Sequence, residues 1–128
     1  MELLEPIEGE TLVVKVLSTR LDAASSPEVK RRLAELISNG HRQLVLDISE
    51  VEFIDSNGLS TLVFARKRLG EYGEMVISSP RNSVMSMLKL TRLYQVFSIF
   101  TDRQQAIAAL RMSTPDTTTI DDSLPARQ

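Results

Sequence analysis

The sequence predicts an α/β domain: a mixed β-sheet with four helices packed largely on one face. Three features carry that prediction. Apolar residues alternate with period two near the N-terminus, then recur at helical spacing in segments separated by short apolar runs. The run Leu44-Val45-Leu46-Asp47-Ile48 is nearly continuous in apolar character, as in a strand paired on both sides and covered by helices. Proline, glycine, serine and aspartate stand at the joints between these segments, where they start and stop helices.

In chain order, residues 2 to 7 form a short strand, Glu8-Gly9-Glu10 a turn, and Leu12, Val14 and Val16 alternate with Val13, Lys15 and Leu17 in a second strand, giving an opening hairpin. Ser26 as N-cap and Pro27 as the first helical residue open a helix over residues 27 to 38, with Val29, Leu33, Leu36 and Ile37 on its apolar face and Gly40 after its end. The central strand, residues 44 to 48, leads through Phe53-Ile54 into a second helix over residues 57 to 70. Its apolar positions are Leu59, Leu62, Val63 and Leu69, and Arg66, Lys67 and Arg68 form a solvated end that complements the negative end of its dipole. Met75-Val76-Ile77-Ser78 is a further strand, and Ser79-Pro80 opens a third helix carrying Val84, Met87 and Leu88. Val96 to Phe100 reads as an edge strand, and Thr101-Asp102 caps a fourth helix bearing Ala106, Ile107 and Leu110. The domain so predicted spans residues 1 to 112. Residues 113 to 128, rich in Ser, Thr, Asp and Pro, are expected to form a disordered tail, because their few apolar residues cannot offset the entropy of ordering.

Composition narrows the function. A chain of 128 residues supports one domain with a real core, and its net charge of -2 argues against nucleic-acid binding through phosphate neutralisation. The absence of cysteine removes disulfides, thiolate metal sites and cysteine nucleophiles. The first residues, Met1-Glu2-Leu3-Leu4-Glu5-Pro6, lack the basic start and apolar run of a signal peptide, and no segment approaches the ~20 apolar residues that span a bilayer. A cytoplasmic protein without nucleic-acid or membrane partners and without a cofactor is the expectation.

The most informative stretch is Asp55-Ser56-Asn57-Gly58-Leu59, a polar corner at the start of the second helix. Either Asp55 or Ser56 can be the N-cap, and Ser56 at or beside a helix start presents its hydroxyl to water. Gly58 permits close strand-to-helix packing or the approach of a partner's backbone. Such a corner suits reversible phosphorylation, since the amides of the helix N-terminus and its dipole would receive part of the added charge. Catalysis has little support: Ile54 stands where a nucleophile elbow needs glycine, and the lone histidine, His41, belongs to the turn before the central strand.

The run from Val45 to Leu59, with Leu21-Asp22-Ala23-Ala24 before the first helix, Ser79-Pro80, Leu90-Thr91-Arg92-Leu93 and Phe97-Ser98-Ile99-Phe100 in order, resembles the STAS domain family, in particular bacterial anti-sigma factor antagonists. The resemblance covers roughly residues 8 to 111. It implies a non-enzymatic domain that binds an anti-sigma factor which is also a serine kinase, loses that binding when Ser56 is phosphorylated, and is reset by a PP2C-type phosphatase. It also implies a partner-binding surface of Asp22, Asp55, Ser56, Asn57, Gly58 and Leu59, with the Asp22 loop beside the Ser56 corner. Asn57 departs from the small residue, commonly serine, that the family often has there. The same fold could instead serve as an accessory or scaffold subunit of a stressosome-like assembly or lipid transporter, or as a constitutive binding module. Deleting residues 113 to 128 should leave the thermal unfolding midpoint nearly unchanged, as a calorimetric scan of both forms would show; a loss of several degrees would mean that this segment packs on the domain.

Overall fold

In the computed structural model, which describes residues 2 to 7 and 11 to 112, the chain runs β1 (Glu2–Ile7), β2 (Thr11–Lys15), β3 (Arg20–Leu21), α1 (Ser26–Ser38), β4 (Gln43–Asp47), β5 (Phe53–Ile54), α2 (Ser56–Leu69), β6 (Glu74–Ser78), α3 (Asn82–Leu90), β7 (Ile99–Phe100) and α4 (Arg103–Met112). Five strands form one sheet in the order β1-β2-β4-β6-β7, and β3 pairs with β5 in a separate two-stranded sheet. β1 is antiparallel to β2, as the predicted hairpin requires, and β2, β4, β6 and β7 are mutually parallel. The turn at residues 8 to 10 and the segment 113 to 128 lie outside the described residues.

Period-two alternation in the three central strands builds two cores. Leu12, Val14, Leu44, Leu46, Met75 and Ile77 point to the face covered by α1, α2 and α3, where Leu33, Leu62 and Leu88 are fully buried. The intervening Val13, Val45 and Val76 point the other way, against Ala106, Ile107 and Leu110 of α4. Three helices therefore share one face and α4 covers the other. This double burial is what makes the central strand almost uniformly apolar, and each fully buried leucine or valine contributes roughly 1.5–3 kcal/mol.

Several boundaries differ from the sequence-based expectation, each for a local reason. Ser25, rather than Ser26, is the N-cap residue of α1, so Pro27 sits one position further in, and Ser25 makes no side-chain bond to the helix amides. Its hydroxyl is already engaged, donating to the Arg20 carbonyl at 2.6 Å and accepting the Asp22 N–H at 3.1 Å. α3 starts at Asn82 instead of Ser79-Pro80: Ser79 has a positive φ of 62°, and Arg81 is still extended. β7 is confined to Ile99–Phe100 at the sheet edge, shorter than the expected 96 to 100. The pairing of the two-residue strands β3 and β5 has no counterpart in the sequence-based expectation. Between β4 and β5 the chain turns, with the Val51 N–H donating to the Ile48 carbonyl.

Two contacts hold the layers in place. At the end of β4, Asp47 is 4% exposed and accepts the Ser49 N–H at 2.9 Å and the Arg103 Nη2 at 3.1 Å, tying α4 to the sheet. Burial pushes the Asp47 carboxyl up, but the Ser49 bonds and the Arg103 guanidinium outweigh it and hold the group below the ordinary 3.8. On the opposite face, Gly58 lets α2 rest directly on the small sheet: a Cβ there would collide with the Leu21 carbonyl oxygen and lie 2.6 Å from Ile54 Cγ1.

Both contacts can be tested by unfolding. Arg103→Ala should cost about 1–3 kcal/mol in urea at neutral pH. Because the folded Asp47 carboxyl is depressed, its contribution is present above pH 3.8 and lost as the pH falls through the lower folded value, so the penalty should shrink under strong acid. An unchanged stability at neutral pH would mean that apolar contacts alone hold α4. Gly58→Ala should lower stability by about 1–3 kcal/mol, since backbone and a strand side chain must both shift to admit the methyl group; a neutral outcome would refute the close approach of α2.

Candidate functional site

The site is built on β3 and β5. Their parallel register sets Arg20 opposite Phe53 and Leu21 opposite Ile54. Leu21 and Ile54 are buried beneath α2, whereas Arg20 and Phe53 point outward with the guanidinium stacked 4.3 Å from the ring centroid. Each strand leads directly into a helix start, so the Asp22 loop and the Asp55 corner emerge side by side. The Asp55 N–H donating to the Leu21 carbonyl at 3.2 Å fastens the two corners together.

Asp22 is turned inward on its own loop. Its carboxylate accepts the Arg20 Nε at 3.0 Å, the Ala24 N–H at 3.1 Å and the Ser25 N–H at 3.2 Å. The Arg20 bond, with the Ser25 and Ala24 amides, holds the carboxyl below the usual range. The loop is thus a closed Asx-type turn, which fixes the shape of the surface beside α2.

At the second corner Asp55, not Ser56, is the N-cap. Its backbone is extended (φ -117°, ψ -169°), and its Oδ1 accepts the Asn57 N–H at 2.8 Å and the Gly58 N–H at 3.2 Å. Ser56 is the first helical residue, exposed, and its hydroxyl makes no hydrogen bond among the described residues. Asn57 is exposed beside it, while Gly58 and Leu59 are buried. The structure bears on two expectations here. Two of the first-turn amides expected to receive a phosphate, those of Asn57 and Gly58, are already bonded to Asp55. Of the two uses expected for Gly58, close packing within the chain is seen: Leu21 and Ile54 fill the space where a Cβ would project.

Sequence reasoning missed the groove that continues from Ser56. About 530 Å³ in volume, it is lined on α2 by Ser56, Leu59, Ser60, Val63, Phe64 and Lys67, and on the other side by Thr91 and Leu93 after α3. Ser56, Ser60, Val63 and Lys67 are spaced by three or four residues, a helical stripe that is visible in the sequence. Its opposite wall is not, because it depends on how α3 ends. The three cations expected to form a solvated end of α2 have separate surroundings: Lys67 lines the groove, Arg66 Nε donates to the Val96 carbonyl at 3.0 Å, and Arg68 lies 5.9 Å from the Phe64 ring centroid. Leu90 and Tyr94, next in sequence to Thr91 and Leu93, are also exposed. His41 precedes β4, whereas the Ser56 corner follows it, so the chain offers Ser56 no histidine base from its own sequence neighbourhood.

Known proteins are similar to this chain in sequence and fold. The chain is 26% identical over 103 residues to the anti-sigma F factor antagonist of Paenibacillus polymyxa, covering 79% of this chain and 87% of that one. An anti-sigma factor antagonist from Mycobacterium paratuberculosis has a crystal structure that superposes with a TM-score of 0.77 at 25% identity, over 85% of this chain and 92% of that one. The Bacillus cell fate determinant SpoIIAA, in its phosphorylated form, shares the fold with a TM-score of 0.64 at 17% identity, over 84% of this chain and 96% of that one. Residues 5–106 match the STAS domain, and with the fold in agreement the chain belongs to the STAS domain family.

Proposed function

We propose that this chain is an anti-sigma factor antagonist that works by partner switching. In its unphosphorylated form the face around Ser56 docks an anti-sigma factor that is also a serine kinase, and so releases that factor's target. The kinase transfers the γ-phosphoryl group of ATP to Ser56 Oγ, ADP leaves, the hydroxyl proton is lost to the kinase, and the modified face no longer docks. A PP2C-type phosphatase restores the free hydroxyl by hydrolysis. The observation that carries this reading is Ser56 itself: an exposed hydroxyl without a hydrogen-bond partner among the described residues, at the fixed start of a helix. The names of the similar antagonists, and a phosphorylated form of the fold neighbour SpoIIAA, lend it support.

The groove explains why a phosphate would be decisive. A partner that covers Ser56, Leu59, Val63 and Phe64 takes water off a largely apolar surface, which favours the complex. Phosphoserine brings about -1.5 to -2 charges into that contact, and leaving such a charge buried without a partner costs on the order of 3–5 kcal/mol, roughly 10²- to 10⁴-fold in affinity. Asp22 and Asp55 serve this surface mainly by holding its two corners, Asn57 and Ser56 by direct exposure, and Leu59 as part of the groove floor. The unpartnered Ser56 hydroxyl equally fits an acceptor better than a nucleophile, which would need a base to activate it.

Incubation with the cognate kinase and ATP should add one phosphate, on Ser56, as read by intact mass and peptide mapping. Ser56→Ala should retain the kinase in pull-downs from native extract, and Ser56→Asp should lose it. Phosphate at another residue, equal retention by both variants, or recovery of transporter subunits instead of a kinase would each overturn the proposal.

A further inference from the structure

The carboxylate immediately before the proposed acceptor already does what a phosphate on Ser56 could otherwise do for the helix. Asp55 Oδ1 holds the Asn57 and Gly58 amides, and the Leu21 carbonyl holds the Asp55 N–H. The N-terminus of a helix carries about half a positive charge, which a full carboxylate more than meets. Of the first-turn donors, the Ser56 N–H alone has no acceptor among the described residues. A phosphate there would meet one free amide and a neighbouring anion rather than an open set of amides.

The cations nearest in the fold have surroundings of their own, while Lys89 and Arg92 flank Thr91 on the far wall of the groove. On β3, Arg20 is bonded to Asp22 at 3.0 Å; on α1, Lys30 sits 4.6 Å from the Phe64 ring centroid; before α3, Arg81 donates to the Ser49 carbonyl at 2.9 Å. Glu52 on the β5 side adds a further anion, exposed to solvent. Lys67 lies eleven residues along α2, roughly 16 Å from Ser56 at 1.5 Å per residue. We propose that Asp55 is a positioning residue of the switch: by keeping the first-turn amides for itself, it denies them to a Ser56 phosphate, which stays displayed in solvent where partner and phosphatase can read it. This rests on the reading of Ser56 as the acceptor. A phosphate folded onto its own helix would be partly neutralised and less able to repel a partner; one held off the helix acts with its full charge.

The test uses the full chain with phosphoserine installed at position 56 during translation, so that no kinase is needed. Phosphorus and amide-proton NMR then follow the phosphate through its second ionisation. In the otherwise unsubstituted chain, that ionisation should occur above the ordinary value near 6, because a neighbouring anion disfavours the dianion, and the Asn57 and Gly58 amide signals should not follow it. In Asp55→Ala the two amides are released: they should move downfield as the phosphate ionises, and the ionisation should fall by about one pH unit or more. Asp55→Asn keeps an acceptor for the cap and guards against loss of the fold; its amides should stay silent while the ionisation falls through loss of the charge alone. Asn57 and Gly58 amides that track the phosphate in the unsubstituted chain, or an Asp55→Ala protein indistinguishable from it, would overturn the inference while leaving the switch intact. A chain that no kinase modifies at Ser56 would sink the switch without altering these signals.

Discussion

The candidate face around Ser56 depends on one close contact, the seating of the first turn of α2 on the carbonyl of Leu21. That carbonyl accepts the Asp55 N–H and occupies the space in which any side chain at position 58 would begin. A two-residue parallel pair has few hydrogen bonds of its own and would be marginal alone. Here Leu21 and Ile54 are buried beneath α2, so the helix holds the pair while the pair aims the helix. Both corners inherit their positions from this arrangement: the Asp22 turn because it follows Leu21, the Asp55 cap because it follows Ile54.

The main sheet supplies the rigidity behind that contact. Its central strands are covered on both faces, with α1, α2 and α3 on one side and α4 on the other. The polar groups that this double burial traps at the strand ends are mostly satisfied. Asp47 is the costly one, an almost fully buried carboxylate, and the Ser49 amide and Arg103 together stabilise its charged form. Among the described residues, the buried hydroxyls of Ser26 and Ser78 have no hydrogen-bond partner within the chain.

How much of this can be read from the sequence follows from how many residues each feature spans. α1, α2 and the strands β2, β4 and β6 contain enough turns or alternations for a period to show, and they are legible with boundaries off by one or two residues, the larger difference at β2, which ends at Lys15 rather than Leu17. β3 and β5 contribute one inward and one outward residue each, too few for any periodicity. The choice between Asp55 and Ser56 as cap is also beyond the sequence, since both residue types cap well. The extended backbone at Asp55 decides it, and that follows from how β5 is pinned to Leu21. Ser79-Pro80 looks like a helix start because serine before proline often is one; the positive φ at Ser79 delays the helix to Asn82. The α2 side of the groove is visible as a stripe, but its other wall comes from Thr91 and Leu93, which only the tertiary fold brings there.

On the proposed reading, the relative sizes of two energies explain why a phosphate at Ser56 would act on binding and not on folding. The local helix start is held by the Asp55 side chain, a cap worth about 0.5–2 kcal/mol, and Ser56 contributes no side-chain bond to it. Adding charge to Ser56 would therefore break no side-chain bond of the helix start, and in the proposed switch the phosphate of the free protein would stay hydrated. In the proposed complex the same phosphate would have to leave water against the apolar stripe of Leu59, Val63 and Phe64, at a penalty on the order of 3–5 kcal/mol. That penalty falls entirely on the bound state. A rigid domain with its amides already capped is thus better suited to this switch than a flexible one, because it has no way to relieve the new charge by rearranging itself.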